Sequence, residues 1–137
     1  MDEQLQPFSG AGKAAANDLS KRVIGAAIEF HRVLGSGLLE AAYEECLYRE
    51  RDLLGTPFAR QLYLDIEYKG FIVKNAYRVD VFVAGLVVVD LKSIAKFESI
   101  HEAQLLTYLR LANRWLGLLL NFNVPVLKDG IMRRVRG

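Results

Sequence analysis

A chain of 137 residues is long enough for one substantial core and too short for two. Apolar residues make up 52% and charged residues 25%, and a net charge of +2 excludes any argument for nucleic-acid binding from bulk charge. Cys46 stands alone, which excludes an intrachain disulfide and a four-thiolate zinc centre; it reads as a small buried apolar residue on a helix.

In chain order, Met1 to Asn17 carries Pro7, Ser9, Gly10 and Gly12 with little to bury, and reads as a flexible arm ahead of a single domain over residues 18–137. It has no basic segment followed by an apolar stretch, so it is not a secretory signal. No apolar stretch approaches the roughly 20 residues of a membrane helix. The expectation is a soluble protein of a reducing compartment, the cytoplasm. Ser20 offers an N-cap, and Ile24, Ala27, Ile28, His31 and Leu34 recur at helical spacing up to a stop at Gly35-Ser36-Gly37. A second helix carries Leu39, Tyr43, Cys46, Leu47, Leu53 and Leu54 and ends at Gly55-Thr56-Pro57.

The period then changes to two. Gln61 to Tyr68 alternates as a strand, Lys69-Gly70 turns, and Phe71 to Val83 is a long second strand with a break near Lys74-Asn75. After Ala84-Gly85, Leu86 to Leu91 is almost wholly apolar, the mark of a sheet centre. Ser99 and Glu102 fit a capping box, and the helix they open directs Leu105, Leu106, Leu109 and Ala112 inward. Trp115 to Phe122 is a further buried strand, and Val124 to Val135 reads as a short terminal hairpin turning at Asp129-Gly130. The order is helix, helix, three strands, helix, strand, an α/β (α+β) arrangement.

A buried strand carries charge only when the charge is paired or holds a metal. Asp90 and Lys92 break an apolar strand and, two residues apart, share a face; Asp80 lies in the middle of the preceding strand. The hairpin register decides whether these groups meet. A two-residue turn pairs Val83 with Leu86 and sets Asp80 against Val89, on the opposite face from Asp90. A three-residue loop, Ala84-Gly85-Leu86, pairs Val83 with Val87 and sets Asp80 across from Asp90, with Cβ atoms about 4.5–5.5 Å apart. A bulge would restore the same parity. The competing account makes these residues buried ion pairs, Asp80 with Arg78 or Lys92 and Asp90 with Lys92. Glu40 lies along the edge of the second helix's apolar stripe, and Gln104 and Tyr108 share a face of the third helix at i, i+4. Taken singly, Glu40 suits a helix N-terminus and Gln104 with Tyr108 a surface hydrogen-bonded pair. His101, one turn earlier, reads as a solvated first-turn residue and not as a catalytic one.

Gly37-Leu38-Leu39-Glu40-Ala41-Ala42-Tyr43 resembles the pattern that names the GxxExxY proteins, which are placed in the PD-(D/E)XK nuclease superfamily. The resemblance runs from about Leu19 to Val135. It takes in Gln61, Tyr68-Lys69-Gly70, Arg78-Val79-Asp80, Asp90-Leu91-Lys92, His101 to Gln104, Tyr108, Gly117, Leu120-Asn121-Phe122 and Asp129-Gly130-Ile131. It implies a restriction-endonuclease-like core, a mixed sheet flanked by helices in the order α-β-β-β-α-β. It further implies that Asp80, Asp90 and the Leu91 carbonyl ligate metal, with Glu40 as the acidic residue of the preceding helix and Lys92 as the catalytic lysine. Gln104 and Tyr108 resemble the QxxxY element of relatives that process DNA ends. Two departures stand out: Val79 where the superfamily name has proline, and Asp90 where the family usually has glutamate.

These residues lead to an expectation of a metal-dependent nuclease acting on DNA. Mg²⁺ or Mn²⁺ suits three carboxylates. Lys92 would orient or deprotonate the attacking water, and Gln104 and Tyr108 would position the substrate backbone or the water. Arg133, Arg134 and Arg136 are candidate phosphate contacts, the plainer account being a solvated basic tail. The alternative function is a nuclease-fold binding module, weakly active or inactive, that recognises nucleic acid or a protein partner. A homodimer or larger assembly is a further expectation.

Overall fold

The computed structural model describes residues 8–136. Its elements are α1 (Gly10–Leu34), α2 (Glu40–Leu54), β1 (Phe58–Tyr68), β2 (Phe71–Val83), β3 (Val87–Lys92), α3 (Ser99–Ala112), β4 (Leu116–Asn121) and β5 (Ile131–Val135). The strands form one mixed sheet in the order β1-β2-β3-β4-β5, in which only β3 and β4 run parallel. That parallel pair needs a crossover, and α3 supplies it. This is the α+β architecture of a restriction-endonuclease-like core, with β5 added beyond β4.

The two central strands are buried along their whole length apart from Lys92, as expected for strands covered on both faces. One core cluster joins α1 and α2 to the sheet through Val23, Ala27, Tyr43, Leu47 and Val89. The other joins α3 through Val88, Leu105, Leu109 and Leu119. Gly117 lets α3 lie close to β4, since a Cβ there would sit 2.9 Å from Leu105 Cδ1.

Several boundaries differ from the sequence expectations. The expected arm reached Asn17, but residues 10–17 are the first two turns of α1, capped by Ser9, whose side chain accepts from the Gly12 N–H at 2.9 Å. Alanine is the best helix former, and Ala16, only 1% exposed, adds to the core. Ser20 is therefore internal, its hydroxyl donating to the Asn17 carbonyl at 2.8 Å. Met1 to Pro7, also assigned to the arm, lie outside the described residues. In α3 the capping box is shifted by one residue: Glu98 is the N-cap, and its backbone N–H donates to His101 Nδ1 at 2.9 Å. His101 thus has a structural role. Tyr108 is buried on α3, whereas Leu106 is exposed. The expected terminal hairpin is instead a 3-10 turn over Leu127–Gly130, followed by β5, which pairs with β4.

Candidate metal centre

The β2–β3 hairpin settles the question of parity. Val83 pairs with Val87, Phe82 with Val88 and Val81 with Val89, and continuing this register by one residue sets Asp80 opposite Asp90. The loop is Ala84-Gly85-Leu86, closed by Leu86 N–H donating to the Val83 carbonyl at 2.9 Å. Ala84 (φ 52°) and Gly85 (φ 65°) both adopt the left-handed conformation this three-residue loop demands.

Asp80 and Asp90 are 7% and 3% exposed. Leu91 N–H donates to Asp80 Oδ2 at 2.8 Å, and Arg78 reaches Asp80 Oδ1 at 3.2 Å. The N–H and C=O of one strand residue point the same way, so the Leu91 carbonyl faces the same side as its N–H. Lys92 Nζ lies 3.3 Å from Asp90 Oδ2. That contact is an ion pair off the hydrogen-bonding direction, because Asp90 Oδ2 is buried with no hydrogen-bond partner among the described residues.

Burial, then the adjacent Asp80 carboxylate, push the Asp90 carboxyl up to about 8, even with Lys92 beside it. Burial alone would lower the Lys92 ammonium. The Asp90 charge and hydrogen bond, with smaller help from Tyr108 and Glu40, together outweigh this, so Lys92 stands above its ordinary value. The Tyr108 phenol is also raised, chiefly by burial and then by the Asp90 charge, which keeps it a hydrogen-bond donor. Two buried carboxylates this close repel each other unless a proton or a cation lies between them.

Glu40 opens α2 and is exposed. Its Oε2 accepts from Ser93 N–H at 3.0 Å, and Ser93 Oγ donates to the Leu38 carbonyl at 3.3 Å, so the chain leaving Lys92 is tied to the start of α2. Tyr43 holds that start in place: its hydroxyl donates to the Gly35 carbonyl at 2.6 Å and accepts from Leu38 N–H at 3.2 Å, while its ring stacks on Phe122. The expected set of three carboxylates is thus two facing carboxylates with Glu40 alongside, engaged by Ser93. Among the described residues no three His, Cys, Asp or Glu side chains already converge as a metal-binding group.

Tyr108 lies near enough to Asp90, Lys92 and Asp80 to feel all three charges. Gln104 is one turn away on the same helix, half-buried, with its side chain hydrogen-bonded to no described residue. The three C-terminal arginines are not brought to this site. β5 runs antiparallel to β4, so Arg133 and Arg134 lie beside Leu118 and Gly117, away from the Asn121 end that adjoins Lys92, and Arg136 lies beyond them. Each also has a partner: Asn17 for Arg133, Glu102 for Arg134 and Asn113 for Arg136.

Sequence reasoning missed two supports. Glu44, one turn after Glu40 and 6% exposed, receives Arg60 at 2.7 Å, and both line a cleft of ≈ 460 Å³ with Glu40, Gln61, Arg78 and Asp80. The i, i+4 spacing of the two glutamates was the available signal. Asn121, 2% exposed, accepts from Ile94 N–H and donates to the Ile94 carbonyl, both at 3.0 Å, fixing the chain just after Lys92. A polar residue ending an apolar strand is the same anomaly that marked Asp90.

The family model of the PD-(D/E)XK nuclease superfamily matches residues 17–135. The chain belongs to this superfamily. No curated protein and no solved structure matches it. Among the described residues, no helix is long and apolar enough to cross a membrane.

Proposed function

We propose that this protein is a metal-dependent nuclease that hydrolyses phosphodiester bonds of DNA at the Asp80–Asp90 pair. The observation that carries this reading is a pair of adjacent buried carboxylates, Asp80 and Asp90, with only Lys92 Nζ at 3.3 Å beside Asp90 Oδ2, which makes no hydrogen bond among the described residues. A donor set of this kind, all oxygen, fits a hard divalent cation, Mg²⁺ or Mn²⁺. Asp80, Asp90 and the Leu91 carbonyl would hold it, with Glu40 at the rim. Bound there, it supplies Lewis-acid polarisation of a phosphate oxygen and acidifies a water.

The remaining work belongs to the side chains. With Asp90 ionised, Lys92 is held protonated, so it acts as a cation and hydrogen-bond donor toward the attacked phosphate rather than as a base. Glu40, tied to Ser93, and Asn121, tied to Ile94, hold the chain on either side of Lys92. Tyr108, kept as the phenol, can donate to a phosphate oxygen, and Gln104 has its amide free to do the same. Arg78, beside Asp80 and half-exposed, is better placed than the C-terminal arginines to meet the substrate backbone.

The test is a cleavage assay with Mg²⁺ and Mn²⁺ on single-stranded, duplex and nicked DNA and on RNA. Asp80→Ala and Lys92→Ala serve as controls. DNA cleavage that needs the ion and both residues is the expected result. Cleavage that survives both substitutions refutes the site. Asp80-dependent metal binding with no cleavage of any substrate would instead favour a nuclease-fold binding module.

A further inference from the structure

The β1–β2 ribbon is much longer than the sheet requires. β2 has 13 residues, yet β3 pairs with only Val81 to Val83. Phe71 to Asn75, all exposed, project beyond the sheet with the facing part of β1 as a two-stranded ribbon turning at Lys69-Gly70, both of which have positive φ. At roughly 3.3 Å per residue the tip stands about 25–30 Å from Asp80.

One face of this ribbon is apolar and aromatic. Cross-strand partners share a face, and the register pairs Tyr68 with Phe71, Ile66 with Val73 and Leu64 with Tyr77. Tyr68 is 63% exposed, Phe71 68% and Val73 40%. The stripe then runs inward: the Tyr77 ring meets Tyr108 edge-on with centroids 5.7 Å apart, and Tyr108 adjoins Asp90 and Lys92. The apolar face therefore runs from the exposed rings at the tip through Ile66, Val73 and Leu64 to Tyr77 and Tyr108, beside the carboxylate pair.

The charges along the ribbon suit an anionic strand. Lys69 Nζ lies 5.3 Å from the centroid of the Tyr68 ring, and Arg78 stands at the ribbon's base. Of the two acids, Asp65 is engaged in closing the bulge: it accepts from Asn75 N–H at 2.8 Å and pairs with Lys74 at 3.2 Å. Glu67 is the remaining acid. Exposed rings interleaved with cations are how proteins hold unpaired nucleotides, whose bases are free to stack. A duplex, with its bases already stacked, offers these rings nothing comparable.

We infer that the free β1–β2 ribbon is a binding arm for single-stranded nucleic acid, whose bases stack on Tyr68 and Phe71 and whose strand is led past Tyr77 and Tyr108 to the carboxylate pair. This rests on the nucleic-acid reading above and gives it a substrate class: strands, flaps or ends with unpaired bases.

The test is binding by the full chain in EDTA, where cleavage does not interfere. Fluorescence anisotropy at one fixed salt concentration follows labelled oligo-dT, oligo-U and a duplex of equal length. The double variant Tyr68→Ala/Phe71→Ala should bind the single strands at least about tenfold more weakly than wild type. The ring-preserving Tyr68→Phe/Phe71→Tyr should bind as wild type does. Because both rings are more than half exposed, neither variant should change the melting temperature. Tighter binding of oligo-dT or oligo-U identifies the natural strand, and ring-dependent binding of either supports the arm. Equal binding by wild type and the alanine variant overturns it, as does a preference for duplex. So does a wild-type dimer in sedimentation velocity that the alanine variant abolishes without loss of oligonucleotide binding, which would make the ribbon an interface between copies. Ring-dependent binding without cleavage in Mg²⁺ or Mn²⁺ leaves the arm standing and the nuclease proposal refuted. Wild-type cleavage by the alanine variant does the reverse.

Discussion

Asp90→Asn separates a metal site from a structural ion pair by the sign of its effect on stability. In the metal-free protein the Asp90 carboxyl moves from an ordinary 3.8 to about 8. The folded state therefore holds a proton that the unfolded chain has released, and stability must fall as pH rises between those two values. At roughly 1.4 kcal/mol per pH unit the ceiling on this loss is about 6 kcal/mol. Water penetration and local relaxation will reduce it to a few. Asparagine carries no charge to bury, so in EDTA at about pH 8.5 the variant should be more stable than wild type by on the order of 1–3 kcal/mol. At about pH 5 the difference should shrink, and with saturating Mn²⁺ it should reverse, because only wild type gains the binding energy. The assay is urea denaturation of both proteins at the two pH values, with EDTA and with Mn²⁺. If Asp90 is simply the partner of Lys92, breaking that buried pair should cost about 3–5 kcal/mol in every condition. A variant less stable than wild type in EDTA at high pH would refute the reasoning.

Three further outcomes follow from particular contacts. Tyr43→Phe removes the hydroxyl that links Gly35 and Leu38, and should cost about 1 kcal/mol in denaturation while lowering cleavage more than stability, since Glu40 begins the helix this loop feeds. Asn121→Ala strips both partners from Ile94 and should cost about 2–3 kcal/mol, whereas Asn121→Asp should restore only the acceptor half of that cost. Gly130→Ala would set a Cβ 2.1 Å from the Asn121 carbonyl oxygen, so it should destabilise by about 3 kcal/mol or more and, by displacing Asn121, also depress cleavage.

The sequence made the site legible where a rule was broken. Charges in an otherwise apolar strand pointed to Asp90 and Lys92, and bringing Asp80 to their face demanded either an odd-length loop or a bulge, of which the β2–β3 hairpin has the three-residue loop. The helix and strand order was equally legible, since the change of period from 3.6 to 2 after Gly55 is abrupt. Less could be read where the decision is tertiary. The start of α1 depends on Ala16 finding a place in the core, and the N-cap of α3 on Glu98 and His101 reaching each other, neither of which local spacing reports. Glu40 was found as a carboxylate, but its engagement by Ser93, 53 residues away, is set by the packing of α2 on β3. The basic tail shows what composition leaves open. Arg133, Arg134 and Arg136 looked like a phosphate contact by composition, yet the antiparallel run of β5 carries them away from Lys92 and toward Asn17, Glu102 and Asn113.

The central claim is that Asp80 and Asp90 form a cation site, and Mn²⁺ binding followed by electron paramagnetic resonance tests it most directly. Wild type should bind the ion at a site lost in both Asp80→Ala and Asp90→Asn but retained in Lys92→Ala, whose cleavage alone should disappear. Undiminished Mn²⁺ binding in Asp80→Ala and Asp90→Asn would contradict the account.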